Sequence, residues 1–420
     1  MPMAKTEKTE AAETDKLIAT LVAQVEHDYT PPRVKRDAHP KMHGCVQAEF
    51  HVENTLPDYL QQGIFKNLGR TYCAWVRYSN AFHIQHDLEF ETRGMAVKLL
   101  DVGEDNLVGD DGRTQDFLFA TYDVFFLPNP DHYVEFAAAV AVGPMQSVGF
   151  FIRQRLFRGL WASLRSAFMI VRNPLAIRYY SQTPYRLGPK REVKLQASPR
   201  LTPALKRSLP GRVRFGLKMI VANLVLFLFE FPPAKLLISF FDVQGNKGSA
   251  EDFCDQNIAA RDHLRLAMMS FLGEHDAWFD VLMQLRPGPN PNFIEDATKR
   301  WRSKFEKVAT IRIPRQVFWP EVGMPSKIKS TTTEMMDLGE NMSFNPWHAL
   351  PAHEPLGPIN KTRRRVYEAI VRTRHELNGV PPQVPTLAKY NEIKSVAQCG
   401  DVSTPPIPES ALPCRSVDTR

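Results

Sequence analysis

At 420 residues, with 43% hydrophobic and 24% charged side chains, the chain can bury a substantial core, which excludes a wholly disordered or fibrous class. The formal charge of +7 hides an asymmetry: residues 151–218 hold sixteen Lys or Arg and one acidic residue, Glu192, while the rest carries 37 basic against 45 acidic side chains. A basic segment so confined implies an anionic partner, such as lipid headgroups or the carboxylate of a fatty-acid-like substrate. Nucleic acid is not expected, because no nucleic-acid-binding fold and no interleaving of aromatic and basic residues accompanies the charge.

Residues 1–32 are polar, end at Pro31-Pro32 and read as a mobile, partly helical N-terminal arm. The first sixteen are charged and lack the apolar run of a secretory signal, and the five cysteines form no CxxC pair. A reducing, cytoplasmic setting with free thiols is therefore expected. From 43 to about 128, short alternating runs suggest antiparallel strands of one barrel, and strand pieces continue around 179–187, 193–197 and 308–318. Residues 264–286 read as a helix with an acidic start.

Residues 152–171 read as a basic amphipathic helix. Ile152, Leu156, Leu160, Leu164 and Phe168 form one stripe, and Arg153, Arg155, Arg158, Arg165 and Arg172 lie elsewhere. Residues 215–231 are mostly apolar and stop at Pro232-Pro233, short of the roughly 20 residues that span a bilayer. Both segments suit packing against the barrel or against a partner copy in a homo-oligomer. They equally suit peripheral contact with an anionic membrane. From 379 to 420 the chain is Pro-rich and polar, a tail with little fixed structure expected.

The motifs that carry chemistry lie at the two ends. In Asn360-Lys361-Thr362-Arg363-Arg364-Arg365-Val366-Tyr367-Glu368-Ala369-Ile370, the residues Arg363, Tyr367, Ile370 and Arg374 share one helical face. A phenol flanked by guanidinium groups can ionise well below its free pKa of about 10, and a phenolate aimed inwards is an unusual metal ligand. Far upstream, Arg36-Asp37-Ala38-His39-Pro40-Lys41 precedes a strand-like stretch at 44–52. Then follow Trp75-Val76-Arg77-Tyr78-Ser79-Asn80, Arg93-Gly94-Met95-Ala96-Val97-Lys98-Leu99, Asp123-Val124-Phe125-Phe126-Leu127-Pro128-Asn129-Pro130 and Asn341-Met342-Ser343-Phe344-Asn345-Pro346-Trp347-His348. In this order and spacing the segments resemble the haem catalase superfamily over about residues 33–378. The closest likeness is to the compact catalase-related proteins, catalase-like peroxidases that metabolise lipid hydroperoxides.

That resemblance implies an α+β fold: a catalase-like antiparallel β-barrel with helical additions and one haem b (iron) buried between barrel and C-terminal tyrosine helix. The haem domain would span 33–378, with a basic, apolar insert at about 200–250. Tyr367 matches the iron ligand, Arg363 the arginine that keeps it ionised, and Arg36, Arg77 and Arg374 the partners of the propionates. His39 matches the distal histidine that moves a proton between peroxide oxygens. His43 is its rival, and His39 is favoured because Arg36-x-x-His39 and His39-x-Lys41 both match. Phe125, Phe126 and Tyr133 match the aromatic shell. The family's distal asparagine falls on Ala120, with Thr121 beside it as a second catalytic candidate. This departure puts rapid hydrogen peroxide dismutation in doubt and points to an oxidoreductase acting on organic or lipid hydroperoxides. A slow catalase and a non-catalytic, membrane-associated haem protein are the alternatives. No HExxH, G-x-S-x-G, Walker or Rossmann fingerprint is present.

Overall fold

The computed structural model describes residues 7–81, 84–109, 112–230, 252, 254–256 and 258–397. Its strands are β1 (Met42–Val52), β2 (Thr71–Asn80), β3 (Arg93–Leu99), β4 (Gln115–Ala120), β5 (Tyr179–Tyr180), β6 (Tyr185–Leu187), β7 (Arg191–Pro199), β8 (Ala277–Leu285) and β9 (Phe305–Ile313). Every ladder is antiparallel. β1 to β5 pair in order, β5 pairs with β7, and β7, β8 and β9 lead back to β1. The result is a closed eight-stranded barrel, with β6 as an extra arm on β7. Closure leaves no sheet edge unpaired within the ring.

The barrel follows from residue alternation. Val46, Ala48 and Phe50 on β1 are fully buried, and Phe50 stacks on Phe117 of β4 with centroids 6.0 Å apart. β1 and β2 are buried on their other faces too, because helices cover them. Gln47 Nε2 donates to the Tyr390 carbonyl at 2.6 Å, and Tyr390 Oη donates to the Ala48 carbonyl at 2.8 Å. Tyr390 also meets Trp75 edge-on at 5.6 Å.

Several expectations need correcting. Tyr390 belongs to a helix, Leu387–Ala397, so the start of the supposed tail is docked core; residues 398–420 lie outside the described residues. The N-terminal arm is likewise a docked helix, Glu7–Asp28. Leu17, Leu21 and Val25 recur every four residues, and this stripe packs on Val366 and Ile370. The run 264–286 splits into a helix, His263–Leu272, and strand β8, whose Ala277, Phe279, Val281 and Met283 alternate with more exposed neighbours. Residues 152–171 do not form one helix either. Helices Pro144–Arg153 and Phe157–Ala167 meet at a break where Arg155 has φ +55°. Cys45 and Cys254 are free, whereas Cys73 is disulfide-bonded rather than a free thiol.

Buried histidines tie this fold to pH. Burial above all pulls His43 down to about 3 and His263 and His353 to about 4. Between the ordinary histidine pKa of about 6.5 and these values the unfolded chain binds protons that the folded chain refuses, so stability falls as pH falls. The urea midpoint should therefore drop steadily from pH 6.5 to pH 4. A midpoint constant over that window would mean that these rings are protonated in the fold.

Candidate functional site

The tyrosine helix Pro358–Asn378 is defined at both ends. Pro358 opens it after Gly357, and Gly379 closes it at φ +64°, its N–H reaching the carbonyls of His375 and Glu376. Its inner face turns Arg363, Tyr367, Ile370 and Arg374 into a cavity of about 1390 Å³. Arg363 Nη2 donates to Tyr367 Oη at 3.0 Å, and Arg363 Nη1 donates to Asn360 Oδ1 at 3.3 Å. The Asn360 amide is fixed in turn, donating to the carbonyls of Pro184 and Leu356. Burial would lower the Arg363 pKa, but the adjacent Tyr367 and Tyr185 outweigh it and the net shift is upward. A guanidinium only donates, so the Tyr367 oxygen keeps its acceptor side towards this bond.

His39 lines the same cavity from the turn before β1, held at φ +61° with its N–H bonded to the Ala81 carbonyl at 2.7 Å. Its Nδ1 lies 3.0 Å from both Ser79 Oγ and the Asn80 carbonyl. A carbonyl can only accept, so Nδ1 carries the proton and Nε2 is the basic atom. Burial, then Arg77 and Arg363, pull the ring down to about 3, so it is neutral at physiological pH. Gly94 makes the approach possible: a Cβ there would sit 2.5 Å from the imidazole.

His43 does not reach the cavity. Its Nε2 is bonded to Asn80 Oδ1 at 2.7 Å, behind the wall.

The third element is a knot of guanidinium groups at the C-terminal end of helix Ser326–Asn341, where the last carbonyls lack helical partners. Arg77 Nε donates to the Gly339 carbonyl at 3.1 Å, Arg36 Nη2 to that of Met342 at 2.8 Å, and Arg374 Nη1 to that of Glu340 at 2.5 Å. Among the described residues, the carboxylates that act on them are those of Glu340, 3.6 Å from Arg36 and also 3.3 Å from Lys35, and of Asp37. Burial, followed by repulsion from Arg36, lowers Arg77 to about 9 and Arg374 to about 8. Arg36 Nη1 and Arg374 Nε have no hydrogen-bond partner. All three arginines line the cavity. Such buried, underbalanced positive charge suits a bound group that brings carboxylates.

Phe125, Phe126 and Tyr133 line the cavity wall, Phe125 stacked on Phe126 at 4.2 Å. Close packing positions them: a Cβ on Gly159 would lie against the Phe126 carbonyl. Thr121 does not join them. Its Oγ1 lies 3.1 Å from Ser166 Oγ and accepts from the Arg93 N–H at 3.3 Å, while Ala120 and Tyr122 on either side face the cavity. Ser79, Gly94, Glu340 and Asn360 were not singled out from sequence, although Ser79, Gly94 and Asn360 sit inside quoted motifs. Among the described residues no group of three or more His, Cys, Asp or Glu side chains is set to hold a metal ion.

No protein-family model matches the chain, and no curated protein does. Solved structures do. A fungal catalase and catalase A from Saccharomyces cerevisiae each superpose with a TM-score of 0.56 at 14% identity, covering 87% of this chain. A bacterial catalase matches with a TM-score of 0.53, also at 14% identity, over 92% of this chain. The fold is catalase-like. The chain spans 64% of the fungal catalase and 66% of each of the other two. The catalase-like core also carries the helix Arg212–Glu230, but no helix among the described residues is long and apolar enough to cross a membrane.

Proposed function

We propose that the cavity holds haem b, with Tyr367 as the iron ligand, and that the protein is an oxidoreductase acting on organic or lipid hydroperoxides. The observation that carries this reading is the convergence on one cavity of the Arg363–Tyr367 pair, the His39–Ser79 pair and three underbalanced arginines. The catalases it resembles in fold lend peroxide chemistry as the reaction class. The bound haem would supply a redox-active Lewis acid that polarises the peroxide.

The chain's own residues do the rest. Arg36, Arg77 and Arg374 would orient the propionates through charge-assisted bonds. Arg363, fixed by Asn360, keeps a donor on Tyr367 Oη. His39 Nε2 accepts the proton of the peroxide's first oxygen and returns it to the second as the O–O bond breaks, while Ser79 and the Asn80 carbonyl hold the ring. Ala120 and its apolar neighbours Met95, Leu118 and Phe119 leave room rather than an amide there, which favours a substrate larger than hydrogen peroxide. The volume of about 1390 Å³ exceeds the roughly 300–1,000 Å³ usual for a single small-molecule site, as a cofactor together with a long substrate requires.

Reconstitution with haem, followed by parallel turnover of hydrogen peroxide and a long-chain fatty-acid hydroperoxide, tests the proposal. A phenolate-type Soret and charge-transfer spectrum with faster consumption of the organic hydroperoxide is expected. Failure to take up haem would sink the cofactor, and faster turnover of hydrogen peroxide would make the protein a slow catalase.

A further inference from the structure

The cavity does not end at the barrel. Its wall runs outwards between helices Tyr133–Val142, Pro144–Arg153, Phe157–Ala167 and Arg212–Glu230, where Val142, Met145, Phe168, Ile220 and Leu224 line it. These five side chains are also among the most solvent-exposed large apolar residues described, all between 56% and 68% exposed. One set of side chains therefore both lines the route inwards and forms the outer surface. Ile152, Phe157, Trp161 and Leu217, each more than half exposed, extend that surface along the same helices.

Most of the charge around this apolar face is positive; the exception is Glu135, exposed on helix Tyr133–Val142 and accepting from Gln154 Nε2 at 2.7 Å. Arg153, Arg158, Arg165, Arg212 and Arg214 are exposed on three of the same helices, whose described side chains include no acidic residue. Among the described residues, only Arg158 of these five has a carboxylate near it, Asp296 at 3.4 Å, in an exposed pair that water screens. An apolar face rimmed by unbalanced arginines is complementary to a surface that is anionic outside and hydrocarbon within.

We propose that this face seats on an anionic lipid surface, so that the cavity mouth opens into the lipid and takes its substrate from there. This rests on the hydroperoxide reading and narrows it to a long-chain amphiphile dissolved in the membrane. Contact is peripheral, since among the described residues no helix is long and apolar enough to cross a membrane. The arginines hold headgroups, Trp161 and Phe157 enter the acyl boundary, and Met145, Phe168 and Leu224 form an apolar threshold. A chain crossing there never has to pass through water.

Co-sedimentation of the full chain with vesicles of phosphatidylglycerol and phosphatidylcholine, against phosphatidylcholine alone, tests the docking without any need for turnover. Binding should require phosphatidylglycerol and weaken with salt. Replacing Arg153 and Arg212 together by Gln should weaken it by about tenfold or more. Lipids brominated in the acyl chain should quench part of the tryptophan fluorescence, and Trp161→Phe should remove that part. Protein that stays in the supernatant at low salt overturns the proposal. Binding with equal quenching in Trp161→Phe overturns the assigned face. Neither outcome touches the haem reading, which stands or falls on the spectrum.

Discussion

Tyr367→Phe is expected to yield a folded protein that no longer holds haem with a phenolate-type spectrum. Phenylalanine fills the same space on the tyrosine helix but offers no oxygen to a metal. The substitution also removes the acceptor of the 3.0 Å bond from Arg363 Nη2, while Asn360 still holds Nη1. Leaving one arm of a buried guanidinium without a partner costs about 1–3 kcal/mol, so the variant should be measurably less stable as well. Absorbance after haem titration and a urea midpoint separate the two effects. An unchanged Soret and charge-transfer region would remove Tyr367 as ligand and the proposed cofactor site with it.

His39→Ala and His43→Ala should part company. The first should keep haem and lose about 10²–10⁴-fold in peroxide turnover, the usual loss for a positioned acid–base group. The second should act on stability, because His43 bonds Asn80 and faces the carboxylate of Asp87 at 3.7 Å behind the cavity wall. pH gives a further handle. With His39 held at about 3, the wild type should show no fall in turnover as pH drops through 6.5, since the ring is already the neutral base. A dead His43→Ala beside a near-normal His39→Ala would reassign the proton carrier.

The parts of this site that could be read from sequence are those whose spacing is local. Arg363, Tyr367 and Arg374 follow one helical face, and Arg36 with His39 sits in one turn, so the chain itself states their geometry. Glu340 is different. It matters because a helix end meets three arginines drawn from Arg36, Arg77 and Arg374, and no local pattern announces that meeting. Thr121 does not line the cavity although Ala120 and Tyr122 on either side do; it lies just past the end of β4, where strand alternation no longer says which way a residue turns. The barrel was legible from alternation in β1 to β4. The segment 264–286 was not, because its apolar residues satisfy a helical period and a strand period until Gly273 divides them. The N-terminal arm was expected to be partly helical but mobile, and its docking, like the helix Leu387–Ala397, escaped notice because polar composition outweighed the short stripes Leu17, Leu21, Val25 and Tyr390, Ile393, Ala397.

The helix Glu7–Asp28 has a consequence for how the protein is made. It is made well before the tyrosine helix, yet it packs on it: Arg365 Nη1 donates to the Ala11 carbonyl 354 positions away and Arg365 pairs with Asp15, while Leu17 packs beside Val366 and Ile370. Leu17 and Leu21 are also part of the cavity wall. That wall cannot close until the tyrosine helix exists, so during synthesis the pocket stands open on this side for almost the whole length of the chain. Contacts of such long sequence separation form late. The pocket is therefore closed on this side by two helices more than three hundred positions apart, and neither can seal it alone.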